Sequence, residues 1–310
     1  MRYIDLFCGA GGGSCGLTSL GWECVGAYDN DERALAAYRA NFPTHPAVAH
    51  DLEQPLPVTS PPVDVVLGGP PCQDFTTTCE ERVCRLKRRA KLTRCFAERC
   101  LELAPEWIVF ENVRFAAKKP EIAEMRALLE AAGYATDGRV VSARAIGMTQ
   151  PRFRFIMIAH RTSADMVRAA WHAFDALAAG CAPPPTLRET LRAHGIETEK
   201  NHCYYPVPRT DARQPSVFAL DSADGPYFTV RARTRPMPRT YVFRPRDSTA
   251  DPADVLDVRT EHAKAIQCFP REFALPPSRV VADRLLGNAI PPPLAALIGR
   301  ALAQASRLHR

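Results

Sequence analysis

Short apolar runs alternate with helix-period segments through the first half of the chain. Residues 2–7, 23–28, 63–68, 107–112, 137–142 and 153–159 read as short strands, and residues 13–20, 31–41, 92–103 and 120–132 as helices between them. Asp31 suits the N-cap of the second helix and Gly133 the C-cap of the fourth. Strands alternating with helices predict a largely parallel sheet with helices on both faces. The last two strands lie close in sequence and fit an antiparallel pair. After about His160 the pattern changes. Residues 161–180 read as an alanine-rich helix, and Pro183-Pro184-Pro185 then breaks the chain. On to about 255 the chain is rich in Pro, Arg, Thr, Tyr and Asp, with β-like pieces such as Tyr227-Phe228-Thr229-Val230. That stretch reads as a smaller, irregular domain. Regularity returns from about 256 and ends in a helix over 293–308.

Composition narrows the class. The chain has 310 residues, 46% hydrophobic and 24% charged, as in a soluble globular protein of one or two domains. No apolar run reaches membrane-spanning length, and Asp5 interrupts the start too early for a signal peptide. The eleven cysteines therefore read as reduced thiols of a cytoplasmic protein. Net charge is only +6, but it is concentrated. Arg82, Arg85, Lys87, Arg88, Arg89, Lys91, Arg94 and Arg99 share 18 residues with a single acid, Glu98. Arg231, Arg233, Arg235, Arg239, Arg244 and Arg246 form a second basic stretch. Two such stretches on a balanced chain point to a polyanionic partner.

Candidate chemistry lies at the strand ends. The first strand runs into Asp5-Leu6-Phe7-Cys8-Gly9-Ala10-Gly11-Gly12-Gly13 and then a helix. Glycines there let a ligand approach the backbone, and the helix start offers amide donors. Asp29 and Asp31 follow about 20 residues on, a spacing that suits a carboxylate on ribose hydroxyls. NAD and S-adenosylmethionine both fit this pattern. Asp5, Asp29 and Asp51 each stand where a strand would end, at the edge where such sheets bind ligands; each equally suits a cap or a surface charge. The apolar run 63–67 ends in GGPPCQDF, which suits a stiff strand exit presenting the thiol of Cys72 and equally an ordinary turn carrying a buried Cys. Cys79, Cys84, Cys95 and Cys100 form two Cys-x4-Cys pairs. Zinc sites usually use shorter spacing, and thiols in a helix pack as small apolar groups, so no metal is expected.

Taken together, these segments resemble the DNA cytosine-5 methyltransferases. DLFCGAGGGS looks like the family's first motif and GGPPCQDF its nucleophile motif. ENV at 111–113, QPRFR at 150–154, IQCFP at 266–270 and GNAIPPPLA at 287–295 resemble four more, in family order. Only about 165–255 lacks a recognisable motif, where the family carries its variable target-recognition domain. Thr76 stands where Ser is usual, and the loop after Phe75 is Thr/Cys-rich and then basic.

The resemblance implies a class I methyltransferase, a Rossmann-like doubly wound sheet. Residues 1–165 would be the catalytic domain, 166–255 the smaller target-recognition domain, and 256–310 a segment returning to the first. S-adenosylmethionine would be the cofactor and double-stranded DNA the substrate of a monomer, with a cognate restriction endonuclease as companion. By resemblance Cys72 is the nucleophile and Glu111 the acid that faces the ring, with Arg154, and less directly Arg152, on the base carbonyl. Phe7 would pack on adenine, Asp29 hold ribose and Asp51 the adenine amino group. Asp5, Gly9, Gly11, Pro70 and Asn288 complete the cofactor surface. Arg85, Arg88 and Arg89 would meet phosphates; Arg231, Arg233 and Arg235 lie where sequence is read. Methylation of transfer RNA and a dinucleotide-dependent oxidoreductase are the alternatives. The latter leaves Cys72, Glu111 and the arginines of QPRFR without a role.

Overall fold

The computed structural model describes residues 1–57, 62–71, 79–206, 218–231, 241–243, 245 and 247–308, with backbone alone for 79–90, 205–206 and 218–219. The chain runs β1 (Arg2–Leu6), α1 (Gly12–Thr18), β2 (Glu23–Asp29), α2 (Glu32–Asn41), β3 (Ala47–Ala49) and β4 (Val65–Gly68). Then follow α3 (Cys79–Leu103), β5 (Trp107–Val113), α4 (Pro120–Ala131), β6 (Ala135–Ser142), β7 (Phe153–His160) and α5 (Ala164–Ala179). Next come α6 (Leu187–Ala193), β8 (His202–Pro206), β9 (Phe218–Ser222) and β10 (Val255–Leu256). The chain ends with α7 (Thr260–Ile266), α8 (Arg279–Asn288) and α9 (Pro292–Leu308).

Seven strands make one sheet in the order β3-β2-β1-β4-β5-β7-β6. β1 to β5 are parallel, and β7 runs antiparallel between β5 and β6. This is the largely parallel sheet that the alternation predicts, with the Rossmann-like arrangement that the resemblance implies. Its central strands are buried on both faces, which is why they read as unbroken apolar runs. Residues of α1, α2, α5 and α9 fill one face. Phe96 and Cys100 of α3, with Ile122, Met125 and Leu129 of α4, fill the other.

Helix α3 begins 13 residues before the expected 92, at Cys79. The expected start at Leu92 coincides with buried positions of the helix, Leu92, Cys95 and Phe96 among them, so the periodicity marks a packed part of it. Cys95 and Cys100 lie in that buried part, packed as small apolar groups. Helix α5 inserts Met166, Val167, Ala170, Trp171 and Phe174 into the large-sheet core. That layer therefore continues past residue 165, where the sequence reading divides the domains, and ends at the Gly180 cap.

A three-stranded sheet, β10-β8-β9, lies beyond it. Leu187, Leu191, Cys203, Tyr227 and Val230 pack there with Ile266, Phe269 and Leu286. Residues 227–230 are not a strand; side-chain hydrogen bonds hold the segment instead, through Val230 N–H to Gln150 Oε1 at 3.1 Å and Thr229 Oγ1 to the Pro151 carbonyl at 3.1 Å. Helices α8 and α9 together form the one stretch among the described residues long and apolar enough to cross a membrane. Yet α9 buries Leu294, Ile298, Ala301 and Leu302 in the core shared with α1 and α5, so this apolar surface is core.

Candidate active site

The carboxyl ends of β1, β2, β4 and β5 open into one cleft of about 620 Å³. Its walls include Asp5, Phe7, Gly9, Asp29, Asp51, Pro70, Glu111, Arg154 and Asn288. Nine expected site residues, separated by up to 283 positions in sequence, thus face one space.

The glycine-rich turn makes the cradle. Phe7 has a φ of 57°, a left-handed conformation that non-glycine residues rarely adopt, and Gly9 and Gly11 follow at 55° and 93°. Nothing lies within 4 Å of the position a Cβ on Gly9 would occupy, so the cleft is open there. On Gly12 a Cβ would meet the Ile290 carbonyl at 2.3 Å. Gly12 therefore lets the segment after α8 pack on the turn, which brings Asn288 to the cleft.

Asp29 ties the turn to β2. One carboxylate oxygen accepts from Gly9 N–H and the other from Asp31 N–H, both at 2.9 Å. Burial raises its pKa, offset in part by these amides. Asp31 has a different task. It caps α2 by accepting from Arg33 N–H and pairs with Arg284 of α8. Of the two acids at that spacing, Asp29 is the one set into the turn. Asp51, exposed at the rim, accepts from Glu53 N–H at 3.1 Å.

Asp5 is 3% exposed and accepts from Ser14 Oγ at 2.7 Å. Ser14 lies 2.7 Å from the Tyr38 hydroxyl, which lies 3.0 Å from His45 Nδ1. Burial pushes the Asp5 carboxyl up to about 7, and Asp29 nearby adds to the rise. Nothing in the sequence marks Ser14, Tyr38 and His45 as a chain, because they come from α1, α2 and the turn before β3 and meet only in the fold.

At the other end of the cleft, Arg154 Nε lies 2.7 Å from Glu111 Oε1, with both side chains buried. Val113 of β5 pairs with Arg154 of β7, which brings the two motifs side by side. Burial raises the Glu111 carboxyl above its ordinary range, and Arg154 and Arg152 only partly counter it. A Cβ on Gly69 would sit 3.0 Å from Glu111 Oε2, so glycine is needed where β4 exits past the carboxyl. Asn112 Nδ2 donates to the Pro70 carbonyl at 3.2 Å, which anchors the Pro70-Pro71 approach. Cys72, to which it leads, lies outside the described residues, as do Arg233 and Arg235. Arg85, Arg88 and Arg89 belong to α3, with side chains outside the description.

Arg152, expected less directly on the base carbonyl than Arg154, is held by backbone carbonyls. It is 1% exposed and donates to the carbonyls of Val230, Gly287 and Ala289 at 2.7–3.0 Å. Gln150 reinforces the same junction, donating to the Ile266 carbonyl at 3.0 Å and to Gln267 Oε1 at 2.7 Å. Sequence reasoning named these motifs but not this junction. It fixes the start of the 231–246 basic stretch, whose Arg231 is exposed, to the cleft wall at 287–289.

A family model for C-5 cytosine-specific DNA methylase matches residues 1–304. The chain is 32% identical to the Type II methyltransferase M.HgiDI of Herpetosiphon aurantiacus over 309 residues, covering 97% of this chain and 94% of that one. It is 30% identical to M.HindV of Haemophilus influenzae over 312 residues, covering 97% and 96%. Among solved structures it superposes on an E. coli prophage-encoded protein with a TM-score of 0.71 at 18% identity, covering 99% of each chain. It also superposes on the S. pombe Dnmt2 methyltransferase with a TM-score of 0.66 at 16% identity, covering 100% and 99%.

Proposed function

The chain belongs to the C-5 cytosine-specific DNA methylases, and from that premise we propose that it methylates a flipped-out cytosine through a covalent adduct with Cys72 and takes its methyl group from S-adenosylmethionine. The observation that supports this reading is the pairing of two constellations in one cleft. A glycine turn with Asp29 and Asp51 lies at one end, and buried Glu111 with Arg154 beside the exit to Cys72 at the other. The residues fit the cofactor. Asp29 has carboxylate lone pairs left for ribose hydroxyls, Asp51 is an acceptor for an amino group, and Phe7 is an apolar surface for adenine. When bound, S-adenosylmethionine supplies an electrophilic methyl group. The oxidoreductase reading of the same turn is set aside by the family.

This chain's residues carry the rest. A cytosine cannot be attacked inside a duplex, so it swings out, at a cost of a few kcal/mol for unstacking. The Cys72 thiolate adds to carbon 6, splitting a difficult substitution into easier steps. Electrons then move toward ring nitrogen 3 and carbon 5. Burial raises the Glu111 carboxyl above its ordinary range, which favours proton delivery to nitrogen 3 as Cys72 adds. Arg154 orients that carboxyl and offers donors to the base carbonyl. After carbon 5 is alkylated, its proton leaves and Cys72 is eliminated. The relatives' Type II naming is consistent with a restriction endonuclease companion.

Cys72→Ala tests the reading. It abolishes methyl transfer and leaves S-adenosylmethionine binding intact by calorimetry. The wild type forms a stable adduct with DNA carrying 5-fluorocytosine at the target, since fluorine blocks the final elimination. An adduct mapping to Cys79 or Cys84 overturns the assignment.

A further inference from the structure

We propose that Arg114, Phe115 and Phe153 form a ledge on the rim of the cleft that receives the DNA strand flanking the target cytosine. One or both rings stack against an adjacent base, and the cations beside them meet phosphates. The proposal rests on the function proposed above and adds a surface that function does not use.

Position comes first. Val113 and Arg154 pair at the end of β5–β7, and both line the cleft. Arg114 and Phe153 are the next residue outward on each chain. The Arg114 guanidinium lies 4.4 Å over the Phe115 ring and 5.7 Å from the Phe153 ring, bridging the two. Phe115 is 63% exposed and Phe153 40%. Val140, also exposed, extends the apolar surface along β6: it pairs with Phe155, two residues from Phe153 on the same face.

Charge decides the partner. Residues 114–119 read Arg-Phe-Ala-Ala-Lys-Lys, with three cations and no acid. Arg114, Lys118 and Lys119 are exposed, and among the described residues none has an acidic partner. A single exposed Phe is ordinary. Two rings linked by a guanidinium, beside lysines and one residue from a base pocket, match what a nucleic-acid strand offers. Bases stack on aromatic faces whatever their identity, and phosphates pair with Arg and Lys. A strand with one base turned into the cleft must cross this rim on its way in or out. An apolar protein partner gives no reason for the uncompensated cations.

The test uses Phe115→Ala, Phe153→Ala, Phe115→Tyr and Arg114→Ala in the full-length protein. Readouts are kcat and KM for DNA, S-adenosylmethionine binding by calorimetry, and Tm. We expect Phe115→Ala to raise the DNA KM about tenfold, the scale of one lost base–aromatic stack. Its kcat, cofactor affinity and Tm stay near wild type, and Phe115→Tyr restores KM. Arg114→Ala lowers the salt slope of DNA binding by about 1. An unchanged DNA KM in Phe115→Ala and Phe153→Ala, with the wild type active, overturns the ledge and leaves the methyltransferase reading standing. A fall in Tm with unchanged KM also overturns it, by showing that the rings pack against the chain itself. A wild type that transfers no methyl group to DNA overturns the reading on which the ledge rests.

Discussion

Replacing Asp5 with Asn should make the protein more stable at alkaline pH than at acid pH relative to wild type. Asp5 is buried with Ser14 as its hydrogen-bond donor, and Asp29 is a like charge nearby. These surroundings hold its carboxyl at about 7 in the folded protein against an ordinary 3.8. Well below 3.8 the acid is protonated in both folded and unfolded chains and nothing is lost; the window of loss runs from there to about 7. As pH rises through that window the unfolded chain ionises freely while the folded one resists. The folded state thus binds more protons, and stability falls with rising pH. The full difference corresponds to about 4 kcal/mol above the folded pKa, of which about 2.5 kcal/mol develops between about pH 5 and pH 8. Asn removes the titration and can keep an acceptor for Ser14. Any cost of its extra amide donor is independent of pH. Tyr38 and His45, further along the same chain, remain in both proteins and cancel. Urea unfolding of both proteins at the two pH values gives the double difference directly. If Asp5→Asn changes stability equally at both, Asp5 is ionised in the folded state and the argument from its burial fails.

Three further outcomes follow from particular contacts. Asp29→Ala should weaken S-adenosylmethionine binding by about 1–3 kcal/mol in calorimetry while leaving cofactor-free DNA affinity unchanged; unchanged cofactor affinity would remove Asp29 from the ribose site. Arg152→Met leaves three carbonyls, two of them buried, without their donor, so urea unfolding should show a loss of several kcal/mol, at about 1–3 kcal/mol per buried unsatisfied group; a loss below about 1 kcal/mol would mean the junction is not holding the segments together. Replacing Arg88 and Arg89 together with Ala should weaken binding to target and scrambled duplexes alike and flatten the salt slope by up to about 2. By contrast, Arg233→Ala or Arg235→Ala should cost about 1–3 kcal/mol more on the target, and equal losses on both duplexes would show that this stretch only holds the backbone.

The sequence by itself determined the sheet layer, because its strands are buried on both faces and its helices on one, and the two periods differ. It also put Asp29, Glu111 and the glycine turn at or near strand ends, and parallel strands deliver their carboxyl ends to one edge. The Asp31 cap was legible too, since a cap bonds its own helix within two residues. Only the tertiary structure decided which polar group serves which task. Arg152 and Arg154 are two apart in one motif, yet one is spent on three backbone carbonyls and the other faces Glu111. Their sorting depends on segments 78 to 137 residues away, which no local pattern encodes. For the same reason the Asp5–Ser14–Tyr38 chain and the Gln150–Gln267 contact stayed hidden. Each joins side chains from different elements, and the desolvation that makes such contacts matter exists only once the elements pack.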